Sequence, residues 1–302
     1  MTSAVCATAG ARVTDPDLRL TAYVFERMFG EAPDGLRHVP GALTLLGGGE
    51  GHALTVGLRW GVTVALAPGP TDLRSMNHHS DRYTDAQGEP PDWAAPALRA
   101  LTAHKVAGAR MVVNRELPLE TGLLNGGETY CVVSQALHDL HGTEAAADCD
   151  PTSRLGHLTA LHARPGQALL LRGDAVERLP CDLAKAGLRL LVMDLGIDRT
   201  LPVVHSRLLA LTAAAALRAG DLGAFGALLS AGHVRGEFAF DLALDTACGA
   251  GALGGLAIGR CVVALAPVRA VPQIRKSVQT MLHGLGERPP RFLTAVPSGP
   301  RA

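Results

Sequence analysis

The chain has 302 residues, 47% of them hydrophobic and 19% charged, with a formal net charge of zero. That length supports a large core. The neutral balance excludes the basic surface that nucleic acid or an anionic membrane would need, so the expected partner is a small molecule, with a protein partner or homo-oligomer as the alternative. Aromatic residues make up only 4%, which leaves Val, Leu and Ala to build the core.

The first residues, MTSAVCATAGARVTD, lack a basic start followed by a long apolar run, so no secretory signal is read there. Residues 1–20 are expected to be a flexible N-terminus and the compartment the cytoplasm. From Ala53 to Leu66 apolar side chains alternate: Leu54, Val56, Leu58, Trp60, Val62, Val64 and Leu66 on one face, Thr55, Gly57, Arg59 and Thr63 on the other. Period two over that length predicts a strand or strand pair with one packed face. Residues 68–93 form a long polar connection, within which His78, His79 and Asp81 make a local cluster. A solvent-facing loop is the expected reading of that cluster, and no metal is assigned to it.

A helix is predicted at 95–103, a strand at 110–114 and a turn-rich stretch at 116–127. Val132, Val133, Ala136, Leu137 and Leu140 then recur at helical spacing. Short strands are expected at 168–171 and 188–193, helices at 206–219 and 222–231, a strand at 261–266 and a last amphipathic helix around Ile274 to Leu285. Strands and helices without a regular βαβ beat predict an α+β fold. The six cysteines (Cys6, Cys131, Cys149, Cys181, Cys248 and Cys261) form no close pair, so they read as small buried hydrophobes rather than zinc ligands. No stretch is long and apolar enough to span a bilayer.

Several segments, in order, resemble galactokinases. FERMFGEAPD (25–34) is similar to the family's FxxxFGxxPD segment, HVPGALTLLGG (38–48) to APGRVNLIGEH and ELPLETGLLNGGE (116–128) to VPLGAGLSSSAA. AGDLGAFGALLSAGH (219–233) and GALGGLAIGRCVVAL (251–265) resemble its later RAGDLxAFGxLMxxSH and glycine-rich GARMTGGGFGGCAVAL stretches. The resemblance implies a two-lobed GHMP kinase fold. Its N-terminal lobe (21–200) would be like the second domain of ribosomal protein S5 and its C-terminal lobe (201–302) ferredoxin-like. It also implies a cleft in which a glycine-rich loop opening a helix holds phosphate through backbone amides and the helix dipole.

The parts that transfer phosphate are missing from that pattern. The Arg of APGRVN is Ala42 here, and the GEHTDYN loop shortens to GGGEGH. The phosphate-loop serines become Leu124, Asn125 and Gly126. Glu120 replaces a glycine, and the catalytic Asp aligns with Gly156, followed by His157. Phosphoryl transfer is mainly positioning and charge neutralisation, so these losses together imply an abandoned kinase activity. The reading is a galactokinase-like protein that reuses the cleft for ATP-independent chemistry, such as elimination or ring-closing displacement of phosphate or sulfate in specialised metabolism. A non-catalytic ligand-binding partner subunit and a residual sugar kinase are the alternatives. Glu50 and His52 are the candidate acid and base, Asn125, Gly126, Gly127 and Arg59 the candidate anion holders, and Glu120, Glu128, Tyr130 and His157 the other candidate cleft residues. No cofactor or metal is expected.

Overall fold

The computed structural model describes residues 15–48, 51–77, 81–118, 121–124, 126–143, 150, 153–197, 206–285 and 288–301. An Asp-Pro signal starts the first helix, α1 (Pro16–Phe29). The Asp15 carboxylate accepts from the Asp17 and Leu18 amides at 2.9 and 3.3 Å, and Gly30 ends the helix in the left-handed conformation. The helix thus begins inside the stretch expected to be flexible.

The alternating segment is a single long strand, β2 (His52–Pro68), paired along one edge with β1 (Gly35–Gly47). Its other edge carries two strands in tandem: β5 (Ala109–Arg115) against residues 62–68 and β6 (Gln167–Arg172) against 52–56. Both faces of β2 are buried apart from Arg59, Trp60 and the two end residues, where one packed face was expected. Its threonines can be buried because they find partners. The Thr159 hydroxyl donates to that of Thr55 at 2.8 Å, and Thr63 donates to Glu116 at 3.3 Å.

The polar connection 68–93 contains β3 (Asp72–Ser75) and β4 (Arg82–Thr84), joined by Asp72, which accepts from both Arg74 and Arg82. With β7 (Ala175–Pro180) the large sheet has the order β4-β3-β5-β2-β6-β7, and β1 lies on β2. Helices α2 (Ala95–Ala103), α3 (Gly127–His141) and α4 (Arg154–His162) complete this part. The second sheet has the order β11-β8-β10-β9, from β8 (Leu188–Asp194), β9 (Gly254–Ile258), β10 (Cys261–Pro267) and β11 (Arg291–Ala295). Strand β8 precedes residue 201 yet belongs to this sheet. Four helices accompany it: α5 (Arg207–Ala219), α6 (Leu222–Ala231), α7 (Phe238–Gly249) and α8 (Val271–Gly284).

Alternation in β8 and β10 sends two sets of side chains in opposite directions. Leu190, Val192, Val263 and Leu265 join Leu54, Val56, Val62 and α3 in one core that spans both sheets. Leu191, Met193, Val262 and Ala264 pack under α7 and α8. Cys131, Cys181 and Cys261 are buried as expected, and burial pushes the thiols of Cys181 and Cys261 up to about 12. Among the described residues, no helix is long and apolar enough to cross a membrane.

Candidate functional site

Of the turn-rich stretch after β5, residues 121–124 are seated between the two sheets. Thr121 organises it: its amide and its hydroxyl both donate to the Pro118 carbonyl, at 3.2 and 2.7 Å. Leu123 and Leu124 follow and are 3% and 5% exposed. Leu124 lies against Gly41 of β1, where an added Cβ would come within 2.8 Å of its Cδ2. From the opposite side the β9–β10 turn closes on the loop. The Arg260 amide donates to the Thr121 carbonyl at 3.1 Å, and a side chain at Gly259 would collide with that same carbonyl. Arg260 itself lies 3.7 Å from Asp194.

The loop opens into α3 through Gly126, which sits in the left-handed region at φ 92°. Gly127 comes next and is pressed against the start of α4. A Cβ there would overlap the Ser153 carbonyl and the His157 amide, so only glycine lets the two helix starts meet. Glu128 is fully buried, and its Oε1 accepts the amide of Ala42 at 3.0 Å. A carboxylate in the first turn of a helix complements its dipole, so this helix start already carries an anion of its own. Tyr130 is buried and meets the His157 ring edge-on, with centroids 5.3 Å apart. Burial lowers the His157 pKa to about 4 and keeps the ring neutral. Its Nδ1 has no hydrogen-bond partner among the described residues.

Arg115, the last residue of β5, is a residue that the sequence reading missed. Its backbone is clamped by Asn77: the Arg115 amide donates to Asn77 Oδ1 at 2.9 Å, and Asn77 Nδ2 donates to the Arg115 carbonyl. Met111, Val113 and Arg115 alternate along one face of β5, so the guanidinium follows two core side chains. Arg115 is 6% exposed, and burial lowers its pKa against the opposing pull of Glu128. The signal was available: an arginine in phase with the inward positions of a strand.

Glu116 points the other way, to a clasp near the end of the chain. It accepts the Gly61 amide at 3.2 Å and pairs with Arg301, which also bonds Asp15 and Asp17. His38 is buried in the same cluster. Its Nδ1 accepts the Arg301 amide at 3.2 Å, and its Nε2 lies 3.6 Å from Glu116. Desolvation, then the Arg301 charge, lowers its pKa to about 3.

The remaining expected residues fall in different places. Glu50, Asn125 and Glu120 lie outside the described residues, as do His78 and His79. His52 is half-buried at the β1–β2 turn, opposite Arg172 of β6, and its carbonyl accepts the Gly48 amide at 2.7 Å. Ala42 pairs with Gly57, so His52 lies five strand residues, about 16 Å, from the level of Glu128. His52 and the start of α3 are therefore not brought together. Arg59 is exposed in a β-bulge, where Pro40 pairs with Gly61 but Gly41 pairs with Leu58. That bulge flanks the Gly41 surface on which Leu124 rests.

Two sheets that share one core, with a glycine-flanked loop and helix start wedged between them, define the α+β fold of the GHMP kinases. Within that class the fold is similar to that of a galactokinase. It superposes on the galactose complex of Lactococcus lactis galactokinase with a TM-score of 0.76 at 19% identity, covering 94% of this chain and 99% of that one. It also matches homoserine kinase from Cytophaga hutchinsonii, with a TM-score of 0.60, 16% identity, and 88% and 96% coverage. Mevalonate pyrophosphate decarboxylase from Streptococcus pyogenes matches with a TM-score of 0.62, 10% identity, and 87% and 96% coverage. No protein-family profile and no curated protein sequence matches the chain.

Proposed function

We propose that this protein keeps a galactokinase-like cleft but no longer transfers phosphate from ATP, and that it handles a small anionic metabolite instead. The observation that carries the reading is the loop before α3. Where the resemblance calls for hydroxyls around a metal-bound triphosphate, Leu124 is buried against Gly41, and the carboxylate of Glu128 occupies the helix start. Apolar side chains offer the metal no ligand, and a buried carboxylate repels polyphosphate.

The head of α3, opened by Gly126 in the left-handed conformation, is where developing negative charge on a departing phosphate or sulfate would be stabilised. In an elimination or ring-closing displacement the carbon–oxygen bond breaks and the anion leaves with the electron pair. The proton of the attacking or neighbouring atom then goes to a base. His157 lies beside Gly127 and is neutral near pH 7, so it is better placed for that role than His52 at the distant end of β2.

Calorimetry with ATP and magnesium tests the reading: no binding heat is expected. Tight, magnesium-dependent binding with phosphate transfer to a sugar would overturn it. One observation favours a partner-subunit role as the second reading: Leu20, Tyr23 and Met28 are 49%, 57% and 39% exposed on α1. A monomeric mass in solution and turnover by the isolated chain would exclude that role.

A further inference from the structure

Two arginines near the loop are treated in opposite ways. Arg301 is surrounded by Asp15, Asp17, Glu116 and His38, as a largely buried guanidinium requires. Arg115, one residue from Glu116 in the chain and 6% exposed, has no side-chain hydrogen bond or ion pair among the described residues, and its buried Nε is an orphan. A buried guanidinium without hydrogen-bonded partners is costly even with the Glu128 charge acting on it, and native proteins retain one mainly where something else completes it.

Two further buried polar atoms, on α3 and α4, also lack a hydrogen-bond partner among the described residues. The Thr129 hydroxyl is in the first turn of α3, and Nδ1 of His157 belongs to the ring packed on Tyr130. Asn77 fixes the backbone of Arg115 from one side, and the amide of Glu116 is fixed from the other by the Gly61 carbonyl. The side chain is thus held on rigid strand rather than on a loop, as a preorganised receptor needs.

We propose that Arg115 is the receptor for a single negative charge on a small metabolite, a carboxylate or sulfate ester bound where β5 ends beside the start of α3. This rests on the ATP-independent reading above and names the chemistry of its ligand. The planar guanidinium matches two oxygens of such a group. Glu128 sets the charge limit. With one buried carboxylate facing one guanidinium, the site keeps only the helix start's partial positive charge, about half a unit, so a monoanion exceeds it least and phosphate dianions and polyphosphates are disfavoured.

Thermal unfolding of the full chain tests this, with acetate, methyl sulfate, methyl phosphate and Mg-ATP as probes at matched ionic strength. Acetate or methyl sulfate at about ten times its Kd is expected to raise the midpoint by about 3 °C, with methyl phosphate giving less than half of that. Arg115→Met is expected to abolish the shift while moving the ligand-free midpoint by less than about 5 °C, because the guanidinium makes no side-chain hydrogen bond to the described residues that the substitution would break. Arg115→Lys, which keeps the charge but not the fork, is expected to lose at least half of the shift.

The proposal is overturned if neither monoanion stabilises the wild type, if the shift survives in Arg115→Met, or if methyl phosphate matches the monoanions. It is also overturned if ligand-free Arg115→Met falls by more than about 5 °C, which would mark a structural arginine. Stabilisation by Mg-ATP would instead sink the ATP-independent reading, so the two failures are told apart.

Discussion

At the scale of single residues, the site is defined by side chains whose burial sets their protonation and by glycines whose lack of a Cβ sets the approach of helices. Gly127 is the sharpest case, because a methyl group there would meet backbone atoms of α4 that have no room to move. Gly127→Ala is expected to cost about 3 kcal/mol, read as a lower denaturant midpoint at unchanged slope. An unchanged midpoint would show that the two helix starts are not locked together. The buried histidines make a second prediction. His157 and His38 titrate at about 4 and about 3 in the folded chain, below the ordinary 6.5, so the unfolded state takes up protons first as pH falls. Their contribution to stability is full above pH 6.5 and is lost progressively toward pH 4, on the order of 3 kcal/mol for each. Denaturant titrations at pH 7.5 and 5 check the sign: the midpoint falls in wild type, and falls less in His157→Gln.

At the scale of elements, the segment 296–301 acts as a fastener. It lies at the break between β5 and β6 on the edge of β2, where the Ser298 amide donates to the Gly57 carbonyl at 2.9 Å, and it delivers Arg301 to the start of α1 and to Glu116. Arg301→Ala leaves three carboxylates facing one another, two of them largely buried, and is expected to destabilise the chain by about 3 kcal/mol. Because the cluster is mostly screened from solvent, that loss is expected to persist at 1 M salt; recovery of stability in high salt would mark a surface ion pair instead. Elements with a period were legible in the sequence and this fastener was not. Strand β2 announced itself by alternation, and α3 by Val132, Val133, Ala136 and Leu137 on one face. Strand β1 did not, because Leu43, Leu45 and Leu46 are buried together around an irregular register and leave no alternation to read. The strand expected at 110–114 ends one residue short of Arg115, the buried arginine that closes β5. Arg301 and Glu116 are 185 positions apart, and nothing local in either predicts the other.

At the scale of the whole molecule, the ordered succession of motif-like segments made the fold legible, while the site was legible only as departures from the galactokinase pattern. Ala42 and Leu124 mark such departures, but the sequence does not show that Leu124 packs on Gly41 or that the Ala42 amide is taken by Glu128. Those are three-dimensional facts. The two sheets share one core, in which Leu190, Leu256 and Val263 touch the same cluster as Leu54 and Val62, so the chain is expected to unfold in one step although it has two sheets. The β9–β10 turn carries part of that coupling. Gly259 combines a φ of 57° with a contact that leaves no space for a side chain, and its neighbour Arg260 bonds the loop. Gly259→Val is therefore expected to push the second sheet off the loop. Trp60 and Trp93 both lie in the part built on the large sheet, so tryptophan fluorescence reports that part while far-UV circular dichroism reports both. In wild type the two denaturation curves are expected to coincide. In Gly259→Val the circular dichroism curve is expected to begin its fall first, the second sheet melting ahead of the tryptophans. Coincident curves in the variant would mean that the shared core alone couples the sheets and that the turn contributes nothing.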